Sequence, residues 1–214
     1  LQLGSAVTLD NGDNRVLNAF YLNGIVHFVY ASEFTSNFNG INYNRIDVAT
    51  LTNSNKKLAL NGFDYSYPSV ASFSQSDTDK TVAIGFLRSS STIYPQIRVV
   101  TCDDNMDWSS SIIVKNGDSY VDNGNTTQTR WGDYIGISRK HNSNNNEVWI
   151  GAQYGTTRFV YGIGNGHCFD TWIAQVTDVY IPPSPSKINT YNKNEIEIFP
   201  NPVYDIMNIN FLLI

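Results

Sequence analysis

Apolar residues along the chain alternate with polar ones or form short β-branched and aromatic runs, and a helical period is almost absent. Asn, Gly, Asp and Ser bound these runs, as they do at turns. The run RVLNAFYLNGIVHFVYAS predicts two strands joined at Asn23-Gly24, because both central positions of a tight hairpin turn need positive φ. INYNRIDVATL predicts the third strand.

The same order of strand, tight turn, strand, longer loop and strand recurs further along the chain. The segments that carry it are YPSVASFSQ, TVAIGFLRSS, PQIRVVTCD, SSIIVK, WGDYIGIS, EVWIGAQY and TWIAQVTDVY. The unit appears three times, at a spacing of roughly 50 to 75 residues, which is typical of antiparallel propeller blades.

The pattern predicts an all-β protein in which residues 1–180 form a partial β-propeller of about three four-stranded antiparallel blades. Three blades cannot close a ring, because propellers typically have about 4 to 8. We therefore expect the chain to be the C-terminal part of a larger propeller. A β-sandwich of about ten strands stays open as an alternative.

The character of the sequence changes after the last predicted blade. Residues 181–193 contain three prolines within positions 182–185 and predict an extended linker. Residues 194–214 alternate as a strand, turn at Pro200-Asn201-Pro202 and resume an apolar run. This pattern predicts a second domain of the β-sandwich type, truncated at the end of the chain.

The tail EIEIFPNPVYDIMNINFLL resembles the start of the C-terminal sorting domain of type IX secretion substrates in Bacteroidetes. The positions that match the sorting motif are Phe199, Pro200, Asn201, Pro202, Asp205, Met207 and Ile209. The resemblance implies a secreted or cell-surface protein that the type IX secretion machinery exports. A small β-sandwich module with a chance Pro-Asn-Pro turn is the alternative.

Charge and composition narrow the set of partners. The net charge is −5 without a basic cluster, which argues against nucleic acid as a partner. No apolar run approaches 18 residues, so we expect no membrane span. Neither a metal-ligand spacing nor a phosphate-binding loop occurs, and we expect no cofactor and no metal. Cys102 and Cys168 fit two small buried apolar side chains better than a disulfide.

Residues 13 to 177 resemble the later blades of secreted sialidase-like β-propellers, in which Asp-box turns are common. TCDDNMDW fits that box loosely, with Thr101, Asp103, Asn105 and Trp108. The Asp side chain would cap the backbone of its own turn, Asn105 would take the left-handed conformation usual for Gly, and Trp108 would pack between blades. This motif is structural, between a third and a fourth strand.

Sialidase chemistry needs an arginine cluster, a tyrosine nucleophile with a Glu base, and an acidic Asp. The segment RWGDY offers Arg130, Asp133 and Tyr134 as catalytic candidates, at the entry to the first strand of the third blade. The competing interpretation is architectural: strand alternation explains Trp131 and the glycines, and Arg130 forms a local ion pair with Asp133. Related segments carry an acidic residue where this chain has Gln153.

The sequence therefore favours binding over catalysis, namely recognition of a glycan or surface polymer outside the cell. The predicted ligand contacts are Arg88, Arg130, Trp131 and Tyr154, with Tyr43 and Tyr94 as further aromatic rings at loop ends. A sialidase-type glycoside hydrolase and a purely structural propeller within a larger adhesin are the alternatives.

Overall fold

The computed structural model describes residues 1–35, 37–124, 127–143, 145–160, 164–177 and 198–200, and within these ranges the regular structure is entirely β. In chain order the strands are β1 (Thr8–Leu9), β2 (Asn18–Leu22), β3 (Ile25–Thr35), β4 (Phe38–Asp47), β5 (Thr52–Leu58), β6 (Asp64–Ser72), β7 (Val82–Ser90), β8 (Ile93–Cys102), β9 (Ile112–Lys115), β10 (Gln128–Thr129), β11 (Gly136–Arg139), β12 (Glu147–Val160), β13 (Gly164–Thr177) and β14 (Ile198–Pro200).

Three antiparallel four-stranded sheets contain most of these strands. Sheet 1 comprises β2 to β5, sheet 2 comprises β6 to β9, and sheet 3 comprises β11 to β14, each with its strands side by side in chain order. The short strands β1 and β10 pair in parallel outside the three sheets. The predicted all-β class and the four-stranded antiparallel sheets are thus confirmed.

Sheet 1 confirms the hairpin signal and adds a strand that the pattern missed. Asn23 and Gly24 join β2 to β3 with φ of 44° and 82°, the left-handed conformation that this dipeptide predicts. Strand β5, with the sequence TNSNKKL, pairs with β4 as the outer strand. Its side chains are mostly exposed on both faces, so no apolar alternation marks it in the sequence.

Sheet 2 lies between the other two sheets and supplies the centre of the core. Every residue of β6 and all but one of β7 are buried. Phe86 packs in a cluster with Ile41 of sheet 1, whereas its neighbour Leu87 packs in a second cluster with Ile150 of sheet 3. Successive side chains of a strand point to opposite faces, which is why adjacent residues serve different clusters. Cys102 is buried and Cys168 is half-buried, and both are free thiols.

The predicted linker, residues 181–193, lies outside the described residues, as does most of the predicted sorting domain. Within residues 194–214 the backbone of Ile198–Pro200 is described as β14, which pairs with β13 at the edge of sheet 3. The boundaries of the linker and of the second domain stay predictions.

Candidate functional site

The segment RWGDY forms an irregular connection before a strand, which we call the RWGDY turn. Strand β11 begins only at Gly136, and Gly132 has φ of +71°, a left-handed conformation that interrupts an extended chain. The Gly132 N–H donates a hydrogen bond of 2.7 Å to Oε1 of Gln153 on β12, which anchors the turn to sheet 3. The predicted strand alternation through residues 131–135 is therefore wrong.

The turn presents charged and aromatic groups to solvent. The Arg130 Nε donates to Asp133 Oδ2 at 2.7 Å, so the local ion pair predicted from the sequence is confirmed. This hydrogen bond from Arg130 to Asp133 raises the pKa of Arg130 above its ordinary value. Tyr134 is 82% exposed. The three catalytic candidates therefore form one surface group, in which Tyr134 is largely exposed.

Two aromatic rings predicted as ligand contacts are buried instead. Trp131 is 2% exposed and packs in the core cluster that sheets 2 and 3 share. Tyr43 is completely buried, with its hydroxyl 2.7 Å from Nδ1 of His27 and 2.9 Å from Nε of Arg45. Both predictions are wrong. Trp131 of the turn and Tyr43 of β4 point towards the interior, where large aromatic rings bury the most apolar surface.

The exposed group borders a cleft of about 1100 Å³. We call it the Arg130 cleft; besides the turn, the residues that matter to its chemistry are Asp10, Asp13, Arg15, Tyr67, Gln153 and Thr171. The segment before β2 forms one wall, and β12 with β13 forms another. The fold therefore brings together residues that lie more than a hundred positions apart in the sequence.

A second ion pair lies in the same cleft. The Arg15 Nε donates to Asp13 Oδ1 at 2.7 Å, and this hydrogen bond lowers the pKa of the exposed Asp13 carboxyl. The negative charge of Asp133 also contributes to the raised pKa of Arg15, after the larger effect of Asp13. The cleft thus carries two guanidinium groups, each with its own carboxylate, and Asp10 as a third acid.

Tyr67 lines the Arg130 cleft, although the sequence pattern does not indicate it as a site residue. It has φ of +51° at an irregularity of β6, an uncommon conformation for a residue with a bulky side chain. Its hydroxyl donates to the Asp10 carbonyl at 2.9 Å and lies 3.5 Å from Asp133 Oδ1. Burial, and then the charges of Asp10 and Asp133, raise the pKa of this phenol. One sequence feature indicates this irregularity: Pro68 interrupts the predicted strand YPSVASFSQ, and proline inside a strand indicates a bulge.

The other predicted ligand contacts lie outside the Arg130 cleft. Tyr154 is half-buried, with its ring 4.6 Å from the Lys115 ammonium and edge-on to Trp172. Arg88 lies over the Phe63 ring at 4.6 Å. Tyr94 is half-buried. The structure therefore separates the residues that the sequence grouped as one binding surface.

The turn TCDDNMDW lies between β8 and β9, where the sequence predicts it. Oδ1 of Asp103 accepts hydrogen bonds from the backbone N–H groups of Asn105 and Asp107, at 2.9 and 2.8 Å, which confirms the capping role. Met106, with φ of 67°, adopts the left-handed conformation. The prediction that Asn105 adopts the left-handed conformation is wrong, because the capped turn places that conformation one residue later, at Met106.

Trp108 follows this turn and joins two sheets, as predicted. Its Nε1–H donates to the Lys57 carbonyl of sheet 1 at 3.3 Å, and its ring lies 6.1 Å from that of Tyr43. Thr101, the first position of the motif, is buried in β8. The motif therefore has a structural function, and the Arg130 cleft does not include it.

Of the sorting motif, only the backbone of Phe199 and Pro200 is described, in β14, whereas Asn201, Pro202 and Asp205 lie outside the described residues. Across the part of the chain that the structure describes, no cluster of three or more His, Cys, Asp or Glu side chains is arranged to hold a metal ion. Nor do the described ranges contain a helix long and apolar enough to cross a membrane.

Fold and site together define an all-β protein with a polar cleft that holds two exposed ion pairs and an exposed tyrosine. Comparison of the chain with protein-family models, with curated proteins and with solved structures gives no match.

Proposed function

We propose that the chain belongs to an extracellular protein that binds glycans or a related surface polymer in the Arg130 cleft. One observation carries the proposal: the cleft combines two pre-formed carboxylate–guanidinium pairs with the exposed ring of Tyr134. Ligand sites typically combine a concave shape, an aromatic or apolar surface and a small number of placed polar groups.

The charges of the cleft favour a hydroxyl-rich ligand over a strongly charged one. Each arginine already has a carboxylate partner, so neither guanidinium group needs an anionic ligand to balance its charge. The pairs still present free N–H donors beside carboxylate acceptors, the combination that adjacent sugar hydroxyl groups can use. Tyr134 adds a flat, amphipathic ring at a small cost in conformational entropy.

The finer fold that we propose is a partial β-propeller. The arrangement of the sheets supports it: each sheet has four antiparallel strands in chain order, and the first strands of sheets 1 and 3, β2 and β11, both contact β6, the first strand of sheet 2. A common axis lined by the first strand of each sheet is the arrangement of propeller blades. Such an axis would also explain why the cleft lies beside these strands.

A sialidase-type hydrolase is the second candidate, because Arg15 and Arg130 line one cleft with Tyr67. The unusual φ of Tyr67 favours it, since strained residues concentrate at functional sites. However, burial raises the pKa of Tyr67, whereas a nucleophilic phenol needs activation. The described residues that line the cleft include no Glu to act as its base. Binding is therefore the better-supported function.

A glycan array tests the binding proposal. We expect the wild-type chain to bind a subset of glycans, and Arg130→Ala and Tyr134→Ala each to weaken that binding about tenfold or more. Arg158→Ala is the matched control, because Arg158 forms a similar exposed ion pair with Asp170, at 3.0 Å, away from the cleft. Wild-type signals at background, or equal losses in Arg130→Ala and Arg158→Ala, would contradict the proposal.

Fluorogenic sialosides test the hydrolase alternative. That candidate predicts release of the fluorophore by the wild-type protein and its loss in both Tyr67→Phe and Arg130→Ala. Turnover that persists in Tyr67→Phe would remove Tyr67 as the nucleophile. Absence of turnover across a panel of glycosides, together with binding on the array, would leave recognition as the function.

Export through the type IX secretion machinery is a proposal that the sorting motif alone supports. Deletion of the residues after Tyr180 should retain the protein in the periplasm of its host. Unchanged secretion of the deleted form would show that the tail is not an export signal.

A further inference from the structure

Sheet 2 carries two arginines on the face that packs against sheet 1. Arg98 on β8 lies opposite Phe86 on β7, and Arg88 lies opposite Gln96 two residues further along the same two strands. Residues paired in this way share a face of the sheet, and diagonal neighbours lie about 7–8 Å apart at their backbones. Phe86 packs in the cluster that contains Ile41 of sheet 1, so this face is the one that sheet 1 covers.

Neither arginine has an acidic partner among the described residues, in contrast to Arg15, Arg130, Arg139 and Arg158. Arg98 is 7% exposed and donates only to neutral acceptors, the side chain and carbonyl of Ser111 and the amide of Gln96. Burial, and then the positive charge of Arg88, lower the pKa of Arg98 to about 10. Removal from water and a neighbouring positive charge both disfavour the charged form of the guanidinium group.

Arg88 leaves more of its donors unused. Its guanidinium lies over the Phe63 ring at 4.6 Å, and its Nε is buried without a hydrogen-bond partner in the described structure. Arg88 lies opposite Tyr65 of β6, and the acid next to Tyr65 is Asp64. The Asp64 carboxylate does not pair with Arg88 but binds the Leu1 amino group at 2.9 Å and the Asn39 N–H. The side chain of Arg88 is only partly covered, so solvent reaches the group.

We infer that Arg88 and Arg98 form a binding site for an oxyanion, that is, for the carboxylate, sulfate or phosphate group of a ligand. A guanidinium group binds such a group through two parallel N–H donors, and two adjacent guanidinium groups provide both charge and directional donors. The bound anion would offset the repulsion between two partly desolvated cations, for which the described residues provide no acidic partner. This site is separate from the Arg130 cleft, whose lining includes neither arginine.

Thermal unfolding in sodium phosphate, sodium sulfate and sodium acetate tests the inference, with sodium chloride at equal ionic strength as the reference. At about tenfold excess over its Kd, a bound anion should raise the Tm of the wild-type chain by about 3–5 °C. A rise in acetate alone identifies a carboxylate site, and a rise in phosphate and sulfate identifies a tetrahedral oxyanion. No rise in any of the three salts would overturn the inference.

Arg88→Gln separates specific binding from the general stabilising effect of sulfate and phosphate. In this variant the rise above the general effect should disappear, whereas Lys57→Gln, which removes one exposed positive charge from sheet 1, should retain it. Without oxyanions, Arg88→Gln should have a Tm equal to or above that of the wild type, because one of two neighbouring positive charges is gone. A lower Tm with an unchanged response to all salts would assign Arg88 a packing role on Phe63 and overturn the site.

Discussion

The buried His27 imidazole predicts a loss of stability between neutral and mildly acidic pH. It is 1% exposed on β3, stacked on the Phe20 ring at 4.5 Å and within 2.7 Å of the Tyr43 hydroxyl. Burial, and then the positive charges of Arg45 and Lys80, lower the pKa of His27 from 6.5 to about 4. Between these two values the folded chain keeps the ring neutral, whereas the unfolded chain protonates it.

Proton linkage gives the direction and the magnitude of the change in the free energy of unfolding with pH. Below pH 6.5 the unfolded state binds one proton more than the folded state, so acid favours unfolding until the folded ring itself titrates near pH 4. Each pH unit in this window costs about 1.4 kcal/mol, which amounts to about 3 kcal/mol over the whole window. For a chain of this size the corresponding fall in Tm is about 6–12 °C.

Urea unfolding, followed by tryptophan fluorescence at one-unit steps from about pH 7 to about pH 4, measures this dependence. His27→Gln should be less stable at neutral pH, but its stability should fall much less across the window. His141→Gln, which changes an exposed histidine, should keep the slope of the wild type. If His27→Gln retains the full wild-type slope, the buried histidine is not its source and the reasoning is refuted.

Two backbone features give further predictions. Gly132→Ala should lower the free energy of unfolding by about 2–4 kcal/mol, because φ of +71° disfavours a side chain and the added methyl group would meet Leu87 and Tyr67. Gly24→Ala is the matched control: its φ is +82° with open space around the added methyl group, so chemical denaturation should give a loss of only about 1–2 kcal/mol. Equal losses in the two alanine variants would refute the steric argument. Asp103→Ala should cost about 1 kcal/mol in the same assay, because the turn loses two hydrogen bonds to its backbone; an unchanged urea midpoint would contradict the capping role.

Much of the fold follows from local sequence patterns. The alternation of apolar and polar residues predicts most strands of sheets 1, 2 and 3, and Asn23-Gly24 predicts the first hairpin turn. Strand β5 was missed because hydrogen bonds to β4 create it, while its side chains remain exposed on both faces. A strand at a sheet edge can pair through its backbone without apolar side chains, so its sequence need not alternate between apolar and polar residues.

The candidate site was predictable only in part. Its local elements, the Arg130–Asp133 pair and the capping role of Asp103, lie within a few residues of each other and follow from side-chain chemistry. The exposure of Tyr134 and the burial of Trp131 depend on the left-handed turn at Gly132. A glycine has the same appearance in the sequence within a strand and in a left-handed conformation, so apolar and polar alternation predicts a strand through residues that do not form one.

The sequence by itself determined the all-β class, most of the strands and the chemistry of the short turns, because these depend on side-chain period and on neighbouring residues. Only the tertiary structure decided that Arg15 and Tyr67 join Arg130 in one cleft, and that Arg88 lies apart with Arg98. Packing of sheets 1 and 3 on sheet 2 sets these groupings. This packing depends on contacts between residues far apart in the chain, and a local sequence pattern does not predict such contacts.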